Sequence, residues 1–181
     1  MMDSKNNLFG TKTYLVGAMD RVKDGGKSWR NQISDLIEGF GIKIINPCDK
    51  QIYGVKEDDE TRWWIDYYKE TGQYAKIREK FSIIRNADLR CVDVSDFIIA
   101  HIDLNVHACG TYEEIVTANR QKKPVLVWCE QGKQHAPNWL FFMLPHEHIF
   151  GSHSDLIEYL SKIDKCSDVT SLSRWFFFSE K

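Results

Sequence analysis

Two carboxylates frame the most informative part of the chain, residues 87–120. Asp88 precedes, and Glu114 follows, the apolar run FIIAHI at positions 97–102. That run reads as a strand buried on both faces. Past it come Gly110 and Thr111, then Glu113 and Glu114 opening a helix. A Glu beyond a strand's carboxyl end, beside a glycine turn, faces the crevice where open parallel sheets bind ligands. Gly110 would let the chain turn and a ligand approach closely, and Thr111 would cap the helix. The competing reading is plain: acidic residues in a first helical turn complement the macrodipole. Asp88, expected near the end of a long helix, opposes that dipole and gains a role only if the fold brings it to Glu114. Asp93, Asp96 and Asp103 are rival acids. Asp103, at the strand's carboxyl end, is the second candidate for the pocket.

Elements positioning these groups follow from periodicity. Thr11–Gly17 reads as a first buried strand ending at a glycine. A helix follows over Trp29–Phe40, with Ile33, Leu36, Ile37 and Phe40 on one face, Ser28 as its cap and Gly41 as its stop. Ile42–Ile45 is a second strand, ended by Asn46–Pro47. After a charged connection, a helix is expected over about 61–86, with Ile77, Phe81 and Ile84 as its apolar stripe and Gly72 as a break. Phe97–Ile102, Pro124–Cys129 and a short stretch at His148–Phe150 supply the remaining strands. Helices are expected at about 111–121, at Asn138–Met143, and from Asp155 to about Ile163 after a Ser154 cap. Strands alternating with helices predict an α/β fold. The expectation is a single-domain flavodoxin-like or Rossmann-like three-layer sandwich, with a parallel sheet of about five strands and helices on both faces. Residues 1–11 are expected to be flexible, 12–166 to form the domain, and 167–181 to be an aromatic tail packed on the body or on a partner.

Composition narrows the function. With 181 residues, 43% hydrophobic and 28% charged, the chain suits one globular, soluble domain. A net charge of -2 gives no footprint for polymeric nucleic acid, though a single nucleotide remains open. No apolar run reaches the roughly 20 residues of a membrane span, and the first residues lack an export pattern. Five scattered cysteines without CxxC spacing read as free thiols in a reducing cytoplasm. His146-Glu147-His148 has metal-like composition but lacks HExxH spacing, so no metal is expected, and no cofactor is implied.

The ordered set of motifs resembles the nucleoside 2-deoxyribosyltransferase family and its nucleotide N-hydrolase relatives. The matching pieces are TYLVGAM at Thr13–Met19, ADL at Ala87–Leu89, HID at His101–Asp103, GTYEEI at Gly110–Ile115 and KPVLV at Lys123–Val127. The resemblance covers roughly residues 12–150. It implies cleavage or exchange of the N-glycosidic bond of a 2'-deoxynucleoside or its 5'-monophosphate. Glu114 would be the nucleophile that forms a glycosyl ester, a role suited to a carboxylate facing an oxocarbenium-like centre. Asp88 would handle the base's proton, and the Tyr14 hydroxyl would orient the nucleophile. Asn138 would reach the sugar from a neighbouring subunit, so a homodimer or higher homo-oligomer is implied. Two departures stand out. His107-Ala108-Cys109 replaces the family's usual acid before the glycine, and the chain ends on Trp175–Phe178 plus three residues rather than near a Tyr.

Other candidates complete the site as read from sequence. Gly17 ends the first strand at the pocket. Lys23, Lys27 and Arg30 flank the Gly25–Gly26 turn at a helix start, a reasonable phosphate site, without the spacing of an ATP-binding loop. Trp64, within Trp63, Trp64, Tyr67 and Tyr68, could stack a nucleobase, the alternative being packing. Two rival functions remain open. One is a phosphoribohydrolase of the cytokinin-activating type, disfavoured because HACGT stands in place of a PGGxGT run. The other is a non-catalytic nucleotide-binding or sensor domain.

Overall fold

The computed structural model describes residues 6–50 and 56–180. Its centre is a pair of parallel strands far apart in sequence, β1 (Lys12–Gly17) and β3 (Phe97–Ile102), in register from Thr13 opposite Phe97 to Gly17 opposite His101. β2 (Lys43–Ile45) extends the sheet beyond β1; β4 (Val125–Cys129) and β5 (Ile149–Phe150) extend it beyond β3. All neighbours are parallel, in the order β2-β1-β3-β4-β5. This is the expected α/β sandwich with flavodoxin-like strand order. Its direction of winding reverses between β1 and β3, and such sheets bind ligands at the carboxyl side of that reversal.

Alternation along each strand divides the core in two. Leu15, Phe97, Ile99 and Leu126 point to one face, under α1 (Lys27–Ile37) and α6 (His153–Asp164). Tyr14, Val16, Ile98, Ala100 and Val127 point to the other, which also buries Val92 of α3 (Tyr74–Val94) and Ile115 and Ala118 of α4 (Cys109–Arg120). Each fully buried aliphatic side chain contributes about 1.5–3 kcal/mol. Tyr14 is thereby fixed on the face that carries α3 and α4.

Several local expectations need correction. The long helix does break at Gly72, whose φ of 70° suits glycine, giving α2 (Asp59–Glu70) and α3. However, α3 runs on to Val94, so Asp88 lies inside the helix. Gly110 and Thr111 are not a loop: both lie in the first turn of α4, Gly110 has no positive φ, and Thr111 makes no cap. The first helix is capped by Asp24 rather than Ser28, because the Asp24 carboxylate accepts from the amides of Gly26 and Ser28 and from the Ser28 hydroxyl. Ser152, not Ser154, caps α6. The short helix α5 (Asn138–Met143) lies where expected.

Residues 1–5 of the expected flexible segment lie outside the described residues. From Asn7 onward the chain is held: the Asn7 and Leu8 amides bond to Asp164, and Leu8 is buried. The aromatic tail packs on the α1/α6 face, with Trp175 buried against Phe97 and Phe178 stacked on Trp175. Among the described residues no helix is long and apolar enough to cross a membrane.

Candidate active site

A cavity of about 630 Å³ opens over the α3/α4 face, lined by residues of β1, α1, α2, α3, α4 and the loops before α1 and α4. Its size suits a nucleoside-scale ligand. At its floor the Tyr14 hydroxyl lies 2.8 Å from Glu114 Oε1 and 3.0 Å from Asp88 Oδ1. Three elements converge here for separate reasons. Strand alternation turns Tyr14 inward, α4 lays Glu114 beside the buried Thr111 and Ile115, and the helical continuation of α3 holds Asp88 in the wall. Tyr14, Asp88 and Glu114 thus meet, and Glu114 keeps only 7% of its surface exposed.

Burial pushes the Glu114 carboxyl up to about 8, and the nearby charge of Asp88 adds to the effect; the Tyr14 hydroxyl, Lys50 and Arg30 oppose it. Burial, then Glu114 and Asp88, raise the Tyr14 phenol well above its ordinary value, so it stays a neutral donor.

Two basic residues support this floor. Arg30 is fully buried, and its guanidinium donates to the carbonyls of Leu15 at 3.2 Å, Gly17 at 2.8 Å and Gly26 at 2.9 Å. It clamps the end of β1 to the Gly25–Gly26 turn. Its fork is therefore filled by backbone, and the Asp24 carboxylate fills the start of α1. Of the expected phosphate site, Arg30 lines the cavity but has its donors engaged by backbone carbonyls, while Lys23 and Lys27 line a separate, smaller pocket. Lys50, beyond β2, contacts both Asp88 and Glu57 through its ammonium. Sequence reading missed Lys50 and Glu57 because they belong to an irregular, charged connection whose residues 51–55 lie outside the described ones.

The remaining candidates divide. Gly17, Gly110 and Thr111 line the cavity, as does the exposed His107. Gly17 is needed for close packing: a Cβ there would stand 2.6 Å from the Trp29 ring. Gly110 faces open space. Asp103 does not line the cavity; its carboxylate is engaged by the Asn105 amide and by Gln131. Trp64 stacks on Tyr68 outside the cavity, since α2 turns Thr61, Arg62 and Ile65 inward instead. Asn138 is exposed on α5, away from this chain's cavity. Phe81 and Ile84, expected as a core stripe, line the cavity and give it an apolar wall with Ile65. His148 of the HEH segment is buried against Tyr159. Among the described residues no group of three or more His, Cys, Asp and Glu side chains is placed to hold a metal ion.

No protein-family profile matches the sequence, and no curated protein matches it. Solved structures do. A 2-deoxyribosyltransferase from Bacillus psychrosaccharolyticus superposes with a TM-score of 0.56 at 17% identity, over 82% of this chain and 92% of that one. A conserved protein from Enterococcus faecalis V583 gives 0.51 at 16% identity, over 84% and 98%. A 2-desoxiribosyltransferase from Leishmania mexicana gives 0.47 at 19% identity, over 67% of this chain and 66% of that one. At these identities the likeness to the Bacillus and Enterococcus structures establishes a shared fold.

Proposed function

We propose that the protein is an enzyme that cleaves or exchanges the N-glycosidic bond of a 2'-deoxynucleoside or its 5'-monophosphate. The observation that carries the reading is the Tyr14 hydroxyl held between Glu114 and Asp88 at the floor of a nucleoside-sized cavity. Glu114 attacks the anomeric carbon as the base departs, forming an ester on its carboxylate; water or a second base then opens it. Asp88 supplies the proton that a departing nucleobase needs, and Tyr14 orients Glu114. The apolar wall of Ile65, Phe81 and Ile84 receives the base. The fold shared with the Bacillus 2-deoxyribosyltransferase agrees with this chemistry.

A second copy of the chain belongs to the same proposal. Asn138 lies beside Trp139 and Phe142, which are 70% and 75% exposed, an apolar surface suited to burial in a homo-oligomer that brings Asn138 to a neighbour's site. Light scattering on a Trp139→Glu, Phe142→Glu variant tests it, a purely monomeric wild type counting against it. The five cysteines are free, in keeping with a cytoplasmic location.

The chemical reading is tested by incubating the protein with a panel of deoxynucleosides and their monophosphates, with and without a free acceptor base. Free base is followed by chromatography. Release is expected from at least one member, with Glu114→Ala slower by about 10³-fold or more. Undiminished release by that variant ends the mechanism.

A further inference from the structure

Lys50 plays no part in the chemistry just described, yet its side chain is only 9% exposed and its ammonium sits between Asp88 and Glu57. It is placed there by the single turn Pro47–Asp49 that follows β2, itself capped by the Asn46 side chain. The oxygen it contacts on Asp88, Oδ1, is the same oxygen that lies 3.0 Å from the Tyr14 hydroxyl. Two donors converging on one oxygen mark it as unprotonated. Tyr14 has a single hydroxyl proton, and if that proton points to Asp88, its 2.8 Å contact with Glu114 Oε1 is a hydrogen bond only if Glu114 carries a proton and donates it. The geometry therefore fits one further proton on the pair of carboxyls, held at the Glu114 end. That is the wrong end for a nucleophile.

We propose that Lys50 is a positioning residue that sets which end of the Glu114–Tyr14–Asp88 chain holds this proton, and that the Tyr14 hydroxyl relays it from Glu114 to Asp88 as the reaction begins. The inference rests on the glycosyl-transfer reading above. In the relay the Glu114 Oε1–H bond breaks as Tyr14 Oη takes the proton. The Tyr14 Oη–H bond breaks as Asp88 Oδ1 takes the other. Tyr14 ends neutral, and no proton enters or leaves the site. One step then yields a carboxylate at Glu114, ready to attack, and an acid at Asp88, ready to protonate the base. Lys50, losing the charge on Asp88, keeps its contact with Glu57. Other groups facing the chain are Arg30 of α1, whose charge favours ionised Glu114, and the Cys91 thiol of α3, which burial keeps in its neutral form.

The test uses the full chain with ¹³C-labelled carboxyl groups, followed by NMR from about pH 4 to 10, without substrate. In the wild type at about pH 6, Glu114 should read as the acid and Asp88 as the carboxylate. In Lys50→Met the assignments should exchange, and loss of the shared proton should move up by about one to three pH units, the effect of removing an adjacent opposite charge. Lys50→Arg should restore the wild-type pattern. Glu57→Gln, which removes a negative charge from the same cluster, should move that titration down; this arm decides the matter if Lys50→Met does not fold. An ionised Glu114 at about pH 6 in the wild type, or a titration that Lys50→Met and Glu57→Gln leave in place, overturns the proposal. With turnover, the rate against deuterium content of the solvent should report two protons in flight in the wild type and one in Tyr14→Phe, whose kcat falls by about 10²-fold or more. Equal proton counts overturn the relay. The NMR arms need no turnover, so an inactive protein with the predicted titrations would remove the glycosyl-transfer reading and leave the assignment of Lys50 standing.

Discussion

Replacing Glu114 with Gln should stabilise the protein by an amount that grows as pH rises from about 5 to about 8. The carboxyl is 7% exposed, and burial with Asp88 raises it from an ordinary 4.5 to about 8. As pH rises through 4.5 the unfolded chain gives up this proton while the folded chain keeps it. Folding stability therefore falls across that interval and levels off above about 8. At about 1.4 kcal/mol per pH unit the full cost is about 5 kcal/mol; entry of water around the ionised group trims the expected gain for Glu114→Gln to about 2–5 kcal/mol at pH 9. That is a large share of a domain's net stability of about 5–15 kcal/mol. The amide keeps the shape, and its N–H donates to the Tyr14 hydroxyl in place of the protonated carboxyl. At pH 5 the unfolded chain is only half a pH unit past its 4.5 midpoint, so the difference should be under about 1 kcal/mol. Urea unfolding of both proteins at pH 5 and pH 9, with the slope against urea unchanged, measures this directly. A gain equal at the two pH values, or a variant less stable at pH 9, would refute the reasoning.

Two further variants probe the frame around the site. Gly17→Ala places a methyl group 2.6 Å from the buried Trp29 ring and 3.3 Å from the His101 carbonyl; it should cost about 1–3 kcal/mol, read as a lower urea midpoint. Arg30→Met strips the donors from the carbonyls of Leu15, Gly17 and Gly26 and should cost about 3 kcal/mol or more in the same assay. Arg30→Lys should recover little of that loss, because a single ammonium cannot reproduce the fork.

The frame was legible where local pattern decides structure. FIIAHI gave the third strand to the residue, since a continuous apolar run can only be buried on both faces. Gly72 marked the break between α2 and α3, because a positive φ there suits glycine. Tyr14, Asp88 and Glu114 were found through an ordered set of motifs, and strand alternation explains why Tyr14 faces them. What stayed hidden depends on contacts between distant segments. The stripe of Phe81 and Ile84 has the helical spacing of a core face, and spacing cannot tell a core from the wall of a cavity. Trp64 had the right chemistry to stack a base, but one residue's rotation about α2 hands the cavity to Ile65. Arg30 looked like a phosphate ligand because a sequence does not reveal that carbonyls of β1 have already filled its fork. Lys50 and Glu57 lacked any local signature, since a buried ion pair between irregular segments has no periodicity.

The central claim is that Glu114 carries the sugar during turnover. The direct measurement is mass spectrometry of the protein quenched in acid seconds after mixing with the deoxynucleoside or deoxynucleotide that releases base fastest. The peptide containing Glu114 should gain one deoxyribosyl group, or its 5'-phosphate form, and the Glu114→Ala variant should gain none. A sugar ester on another residue, or an unmodified peptide from a protein that is turning over steadily with the ester-opening step slowed, would contradict it.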